Sequence, residues 1–151
     1  MTGPEVRQRA RSRSTHQLVI FALGGEDYAL PIAQIEEVIR YTQPRAVPTP
    51  EAWVTGVISL RGAIVPIGDL AARLGVDAAH AEDAKIVIIE TTAGTAGIIV
   101  DAVEEVLTIQ DEQIDTTTVS DGELVSGIAR IDERLVVLLD AERLLTISDQ
   151  Q

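Results

Sequence analysis

The sequence predicts a mainly β fold with two similar lobes, and three observations carry this prediction. Hydrophobic residues make up 46% of the 151-residue chain and aromatic residues only 3%, so the core must consist mostly of Ile, Val, Leu and Ala. Cores rich in β-branched residues favour sheet. The apolar runs are short and bounded by Gly, Pro and polar residues, as strands are. An internal repeat, described below, then divides these strands between two lobes.

The apolar runs predict the strands in chain order. They lie at 17–23, 27–32, 54–60, 63–68, 85–91, 96–101, 106–109, 125–131 and 134–139. Short helical turns are predicted near 33–38, 69–74, 101–105 and 140–145. A Pro-bearing linker at 44–50, an Ala- and acid-rich loop at 76–84 and a polar stretch at 111–123 separate these elements.

The repeat consists of two aligned blocks. Residues 18–38 align without a gap on residues 86–106, and residues 56–69 align on residues 127–140. Each half therefore contains a hairpin, a short helical turn, a linker, a second hairpin and a second helical turn. Half a chain of this length cannot readily bury a complete core, so we expect the two lobes to pack together and to leave a groove between them.

The charge is distributed unevenly along the chain. The net charge is −12, yet the first 17 residues carry about +3 because Arg7, Arg9, Arg11 and Arg13 outnumber Glu5. We expect residues 1–16 to be a disordered basic tail, residues 17–145 to form one domain and residues 146–151 to be a short tail. Within the domain, residues 18–75 and 86–145 are the two lobes, either interleaved or repeated side by side. So acidic a body should repel nucleic acid and anionic lipid.

The sequence lacks the residues that several classes of function usually require. There is no cysteine, no apolar run near the ~20 residues that span a membrane, and no secretion signal, so a soluble cytoplasmic protein is expected. His16 and His80 fall in segments predicted to be exposed and irregular, which favours solvated side chains over catalytic ones. No P-loop, Gly-x-Ser-x-Gly elbow or calcium loop is present. We therefore predict no enzyme activity, no metal and no cofactor.

A carboxylate-dependent hydrolase is the remote alternative, because the chain has 24 acidic residues and two lobes. An aspartic protease would need an Asp-Thr/Ser-Gly loop in each lobe. The segment Asp115-Thr116-Thr117 lacks the glycine, and the first half has no matching loop. The pattern therefore favours a binding module that holds partner proteins together.

Two short segments are candidates for contact surfaces. Arg61-Gly62 interrupts an apolar run where a hairpin turn is expected, so Arg61 should project from a rigid tip. Physical chemistry alone slightly favours a turn cation kept for solubility as the explanation of Arg61, but the second lobe has Asp132-Glu133 at the same place. The segment Ile35-Glu36-Glu37-Val38 is expected to be helical or turning, and its periodicity does not decide whether Ile35 and Val38 face the core or a groove.

At these residues the chain resembles the CheW-like coupling proteins of bacterial chemotaxis. Residues 59–70 read Ser-Leu-Arg-Gly-Ala-Ile-Val-Pro-Ile-Gly-Asp-Leu, similar to the family signature Asn-Leu-Arg-Gly-x-x-x-Pro-Ile/Val-x-Asp-Leu. The opening hairpin at 18–32, the segment 35–38 and the stretch 96–106 resemble other family motifs, so the likeness covers residues 17–145. Ser59 replaces the usual Asn, which changes the side-chain hydrogen bonding expected at that turn.

The resemblance implies a fold and two partners. The fold would be two small five-stranded SH3-like β-barrel subdomains packed together, with short helices. The partners would be the regulatory domain of the histidine kinase CheA and the cytoplasmic tip of methyl-accepting chemoreceptors, at arrays on the inner face of the membrane. No receiver domain or kinase core accompanies the motifs, so a free-standing adaptor is expected.

The resemblance also implies which residues contact the partners. Ile35, Glu37, Val38 and Arg61 would belong to partner-binding surfaces, while Gly56 and Gly62 would shape the backbone there. An adaptor of the same fold in another receptor–kinase pathway, such as pilus motility or biofilm signalling, remains an alternative.

Overall fold

The computed structural model describes residues 15–48, 54–76, 83–92, 94–117 and 124–146. Most of these residues lie in strands, as the sequence predicts. In chain order the strands are β1 (Thr15–Leu23), β2 (Glu26–Pro31), β3 (Ile35–Arg40), β4 (Val54–Leu60), β5 (Ala63–Asp69), β6 (Lys85–Thr91), β7 (Gly94–Val100), β8 (Ala102–Gln110), β9 (Ile114–Asp115), β10 (Val125–Ile131) and β11 (Arg134–Leu139).

Two short α-helices follow equivalent strands of the repeat. Helix α1 (Leu70–Leu74) follows β5, and helix α2 (Ala141–Thr146) follows β11. The carboxylate of Asp69 accepts a hydrogen bond from a backbone N–H of the first turn of α1, and Asp140, its counterpart in the repeat, does the same for α2. Such N-caps stabilise a helix by about 1 kcal/mol. Single 3₁₀ turns at Ile32–Gln34 and Asp111–Gln113 lead into β3 and β9.

The strands form two sheets, and each sheet takes strands from both halves of the repeat. Sheet 1 has the order β8-β1-β2-β11-β10-β9, and sheet 2 has the order β3-β6-β7-β5-β4. In the repeat β1–β2 corresponds to β6–β7, β3 to β8 and β4–β5 to β10–β11. Sheet 1 thus combines the first hairpin of the first half with the last hairpin of the second half, and sheet 2 does the reverse. Parallel pairing joins the exchanged pieces, β2 to β11 and β5 to β7.

The exchange gives the two sheets a common core. The largest cluster of buried residues contains side chains from both sheets and from both helices. These residues are Phe21, Leu23, Tyr28, Leu30, Leu70, Ala71, Val87, Ile89, Ile98, Val100, Leu139, Ala141 and Leu144. No polar or charged residue of the described ranges is buried. Because burial of apolar surface is the main favourable term in folding, neither sheet keeps a complete core without the other.

The predicted helical turns at 33–38 and 101–105 are wrong in their main part. Residues Ile35–Arg40 form strand β3, and β8 already begins at Ala102 instead of near residue 106. Strand β3 pairs with β6, and β8 pairs with β1, each across the two halves of the repeat. These distant pairings decide the conformation, and local sequence cannot show them. The expected count of five strands holds for sheet 2, whereas sheet 1 also includes the two-residue strand β9.

The ends and the two histidines add three further facts. Strand β1 begins at Thr15, inside the segment predicted as a tail, while residues 1–14 and 147–151 lie outside the described residues. His16 lies in β1 and not in an irregular segment, with its Nε2 atom 3.0 Å from Asp111 Oδ1. His80 lies outside the described residues.

Where the structure describes the chain, no helix is long and apolar enough to cross a membrane.

Candidate functional site

The predicted turn at Arg61-Gly62 joins β4 to β5. Both residues have positive φ, +51° for Arg61 and +83° for Gly62, and the flanking Leu60 and Ala63 are register partners. Two consecutive positive φ angles are typical of the tight hairpin turn that matches the twist of antiparallel strands. Glycine adopts this conformation freely and arginine does not, so the hairpin holds Arg61 at a defined place. The Arg61 side chain is 67% exposed.

Arg61 forms a bidentate ion pair with Glu37 of strand β3. Its Nη2 atom is 2.7 Å from Glu37 Oε1, and Nη1 donates a second hydrogen bond to Oε2. The hydrogen bond from Arg61 holds the pKa of Glu37 below its usual value, and Glu37 in turn raises the pKa of Arg61. Strands β3 and β4 are the two edges of sheet 2. The pair therefore joins one edge to the hairpin of the other, across the open side of the sheet.

Strand β3 divides its candidate residues between two faces. The pairing of β3 with β6 shifts register between Ile35 and Glu37, so Ile35 and Val38 lie opposite Ile89 and Val87 on one face, whereas Glu37 lies opposite Ile88 on the other. Ile35 is half-buried and packs against the largest core cluster. Val38 lies on the same face as Ile35, yet its side chain is 39% exposed. The structure therefore places Ile35 with the core, and it leaves Glu37 and Val38 accessible.

Gly56 allows two segments of backbone to come close together. A Cβ atom at this position would lie 2.2 Å from the carbonyl oxygen of Arg45, far inside van der Waals contact. The approach lets Arg45 and Val57 exchange two backbone hydrogen bonds, of 2.8 and 2.9 Å. Gly56 thus fixes the path of the linker that leaves β3. Gly62 has open space around its Cα, so its role is confined to the turn.

An apolar groove of about 390 Å³ runs beside this hairpin, and the sequence did not reveal it. Its aliphatic lining comes from β3, β4 and β5: Ile39, Val57, Ile58, Leu60 and Ile64. Ile64 is 69% exposed. Ile64 and Val65 are both aliphatic, so periodicity does not show which of them faces out. The turn does, because it pairs Leu60 with Ala63 and places Ile64 opposite the exposed Ser59.

Sheet 1 also has an arginine–glutamate pair beside its hairpin, but the arginine is not the residue at the hairpin tip. Asp132 stands at the tip equivalent to Arg61 and also has a positive φ, of +56°. Glu105, the counterpart of Glu37, accepts a hydrogen bond of 2.9 Å from Arg134. Arg134 is also 3.3 Å from a carboxylate oxygen of Asp27 and 3.5 Å from one of Glu104. Partial burial, followed by the charge of Asp27, raises the pKa of Glu104.

Exposed aliphatic side chains occupy equivalent positions on the two sheets. Val38 on β3 corresponds to Val106 on β8, and Ile64 on β5 corresponds to Leu135 on β11. Leu135 is 61% exposed, close to the value for Ile64. Each sheet therefore presents an edge strand and a hairpin with accessible apolar residues beside an arginine–glutamate pair. Within the described ranges, no group of three or more His, Asp or Glu side chains could hold a metal ion.

Comparisons with known proteins show which family the chain is similar to. The model of the CheW-like domain family matches residues 17–149. The probable chemotaxis protein CheW of Rhizobium etli is 32% identical over 148 residues, covering 95% of this chain and 96% of that protein. Protein PilI of Pseudomonas aeruginosa is 34% identical over 100 residues, covering 64% of this chain and 53% of that protein.

A solved structure extends the likeness to three dimensions. The crystal structure of the scaffolding protein TtCheW from Thermoanaerobacter tengcongensis has a TM-score of 0.76 and 33% identity, covering 83% of this chain and 88% of that one. The predicted fold class is confirmed: the two sheets are SH3-like subdomains of a mainly β protein. With the family match across nearly all of the described residues, the chain belongs to the CheW-like family of chemotaxis coupling proteins.

Proposed function

We propose that this protein is an adaptor that couples methyl-accepting chemoreceptors to the histidine kinase CheA by binding both, and that it catalyses no reaction. The observation that carries the proposal is the pair of exposed aliphatic surfaces at equivalent places on the two sheets. One protein with two such surfaces can hold two partners at once. The useful quantity is then the coupling free energy between the sites, and not tight binding at either.

The kinase partner is the regulatory domain of CheA, and the receptor partner is the cytoplasmic tip of the chemoreceptor. Glu37, Val38 and Arg61 contribute side chains to a partner-binding surface on sheet 2. Gly56 and Gly62 act there through the backbone, and Ile35 acts from the core by holding β3 in place. A helical receptor tip would bind with its apolar face in a groove. Binding to receptors would keep the protein in the cytoplasm, at arrays on the inner face of the membrane.

The adaptor of another receptor–kinase pathway remains the second candidate, and the similarity to protein PilI favours it over part of the chain. The similarity to the CheW of Rhizobium etli spans far more of both proteins, so the chemotaxis pathway is the stronger proposal. Binding of this protein to the CheA of its own organism would separate the two candidates.

Two matched substitutions test the proposal. Ile64→Asp and Leu135→Asp alter equivalent, largely exposed positions, so both variants should fold. Gel filtration and calorimetry of each variant with the purified CheA regulatory domain and with a receptor cytoplasmic fragment should show loss of one partner per variant. A wild-type protein that binds neither partner would overturn the proposal. If both variants keep both partners, the surfaces are assigned wrongly.

A further inference from the structure

Each sheet and each buried cluster of the protein needs both halves of the repeat. The first half comprises β1–β5 with α1, and the second half comprises β6–β11 with α2. Within the described ranges, every pairing of these strands joins the two halves, except for the hairpins and the pair β9–β10. All three clusters of buried residues also contain side chains from both halves. Neither half therefore completes a sheet or buries a core without the other.

The antiparallel pairings between the halves have the same register in both sheets. Val19 of β1 lies opposite Val106 of β8. Their counterparts in the repeat, Val87 of β6 and Val38 of β3, also lie opposite each other. Both pairings shift register at the equivalent place. The contact that the first half makes with the second in sheet 1 is therefore the contact that the second makes with the first in sheet 2.

The parallel pairings between the halves show the same relationship. Ala29 of β2 lies opposite Leu138 of β11. Their counterparts, Gly97 of β7 and Ile67 of β5, also lie opposite each other. An approximate two-fold axis thus relates the halves, as a two-fold axis relates the subunits of a symmetric dimer. Strand pairing and burial between the halves are the same whether one chain or two chains supply them.

We propose that the first half of one chain can pair with the second half of another, so that this protein forms a dimer with a second copy by exchanging halves. Each folded unit of this dimer is incomplete without the half that the second copy supplies. Residues 77–82, which connect the halves, lie outside the described residues. Exchange requires no contact between halves that the monomer lacks, as in other domain-swapped dimers. Because the connected half has an effective concentration on the order of 1 mM, the monomer predominates in dilute solution.

Exchange of halves would duplicate the exposed surfaces. Each folded unit keeps both sheets, so the dimer would present two copies of the surface at Ile64 and two of the surface at Leu135. A dimer with two sites for each partner would bind partners that are held close together more tightly than a monomer does. This consequence rests on the proposed function, whereas the exchange itself does not.

The first test uses full chains that cannot fold alone. Leu30→Asp in the first half and Ile98→Asp in the second place a carboxylate at equivalent, fully buried positions of the largest cluster. Each variant alone should elute from gel filtration as an unfolded chain, without the dispersed amide NMR resonances of a folded protein. When the two are mixed in urea and refolded together, the two intact halves can combine. We expect a dimer with one native set of resonances for every two chains.

The control for this test is Leu30→Asp mixed with Phe21→Asp. Both substitutions alter buried positions of the first half, so no intact first half is present and the mixture should stay unfolded. If the mixture of Leu30→Asp with Ile98→Asp stays unfolded or aggregates in the same way, the inference is overturned.

The second test does not require variants that unfold. The chain has no cysteine, and Val19 and Val106 are register partners from different halves. Val19→Cys and Val106→Cys are mixed in urea, refolded together and oxidised, and disulfide-linked pairs of the two different chains are measured by mass spectrometry. With an effective concentration on the order of 1 mM, we expect about 1% of the chains in such pairs at ~10 µM protein and about a quarter at ~1 mM.

The control for the second test is the same two variants mixed only after each has refolded, which allows chance disulfides but no exchange during folding. An equal yield of linked pairs in the two procedures would overturn the inference. That result would leave the adaptor function intact, because the monomer already has both exposed surfaces. A wild-type protein that binds neither CheA nor a receptor fragment would instead overturn the proposed function.

Discussion

Replacement of Gly56 by alanine is the most direct test of how the backbone around the groove is held. The added Cβ atom would lie 2.2 Å from the carbonyl oxygen and 2.6 Å from the carbonyl carbon of Arg45, and backbone atoms cannot rotate away as a side chain can. The linker must therefore move and break its two hydrogen bonds with Val57. Two such bonds contribute about 2 kcal/mol net, and the strain of displaced packing adds about 1 kcal/mol or more.

The expected loss in the free energy of unfolding is thus about 3 kcal/mol, measured by urea denaturation monitored by circular dichroism. Gly127→Ala is the matched control, because Gly127 is the counterpart of Gly56 in the repeat. The nearest atom to its added Cβ is Ile114 Cγ2 at 3.0 Å, which belongs to a side chain that can shift. That variant should lose about 1 kcal/mol or less. Equal losses for the two variants would refute the backbone-crossing explanation.

Four further predictions concern charges and the core. Arg61→Glu should unfold near the wild-type temperature but bind a partner more weakly; a large fall in that temperature with normal binding would show a structural role. Arg61 lowers the pKa of Glu37 in the folded protein. The ion pair therefore stabilises the fold above the pKa of about 4.3 that a glutamate has in the unfolded chain, and this stabilisation is lost as the pH falls through the pKa of Glu37 in the folded protein. Carboxyl NMR should show a higher pKa for Glu37 in Arg61→Ala than in the wild type. Burial raises the pKa of Glu104, so ionisation of this carboxyl group opposes folding as the pH rises. Glu104→Gln should therefore raise the free energy of unfolding at pH 7 by less than about 1 kcal/mol and leave it unchanged at pH 4. An equal gain at the two pH values would contradict burial of the charge as the cause. Ile98→Ala should cost about 2–5 kcal/mol in one cooperative transition seen by all probes, since Ile98 lies in the shared core; separate melting of the two sheets would contradict that core.

Much of the strand pattern could be predicted from sequence because it depends on local signals. The strands β4, β6, β10 and β11 have the predicted bounds, since turn residues or polar loops delimit each apolar run. The repeat supplied an independent check on the second hairpin of each half. What local signals could not supply was the exchange of hairpins between sheets, because antiparallel pairing within a hairpin is the same whichever sheet receives it.

The errors at the candidate site have the same origin. The segment Ile35–Arg40 contains isoleucine and valine with two glutamates, a composition that suits either a turn or an edge strand. Only its pairing with β6 makes it a strand, and that pairing in turn places Glu37 within reach of Arg61. The sequence does not predict the groove for the same reason, because the residues that line it come from three strands whose proximity depends on the sheet order.

The comparison of the two tips explains why the same backbone can present different surfaces. Both hairpins have a non-glycine residue with positive φ at the tip, Arg61 in one and Asp132 in the other. In both sheets an arginine pairs with the equivalent glutamate of the edge strand, but in sheet 1 that arginine has moved to position 134, where two further carboxylates surround it. The ion pair that joins the hairpin of sheet 1 to its edge strand β8 therefore does not involve Asp132 at the hairpin tip. In sheet 2 the tip residue Arg61 itself forms the ion pair that joins the hairpin to the edge strand β3. A partner that draws Arg61 away from Glu37 would therefore also act on β3 and on the groove beside it.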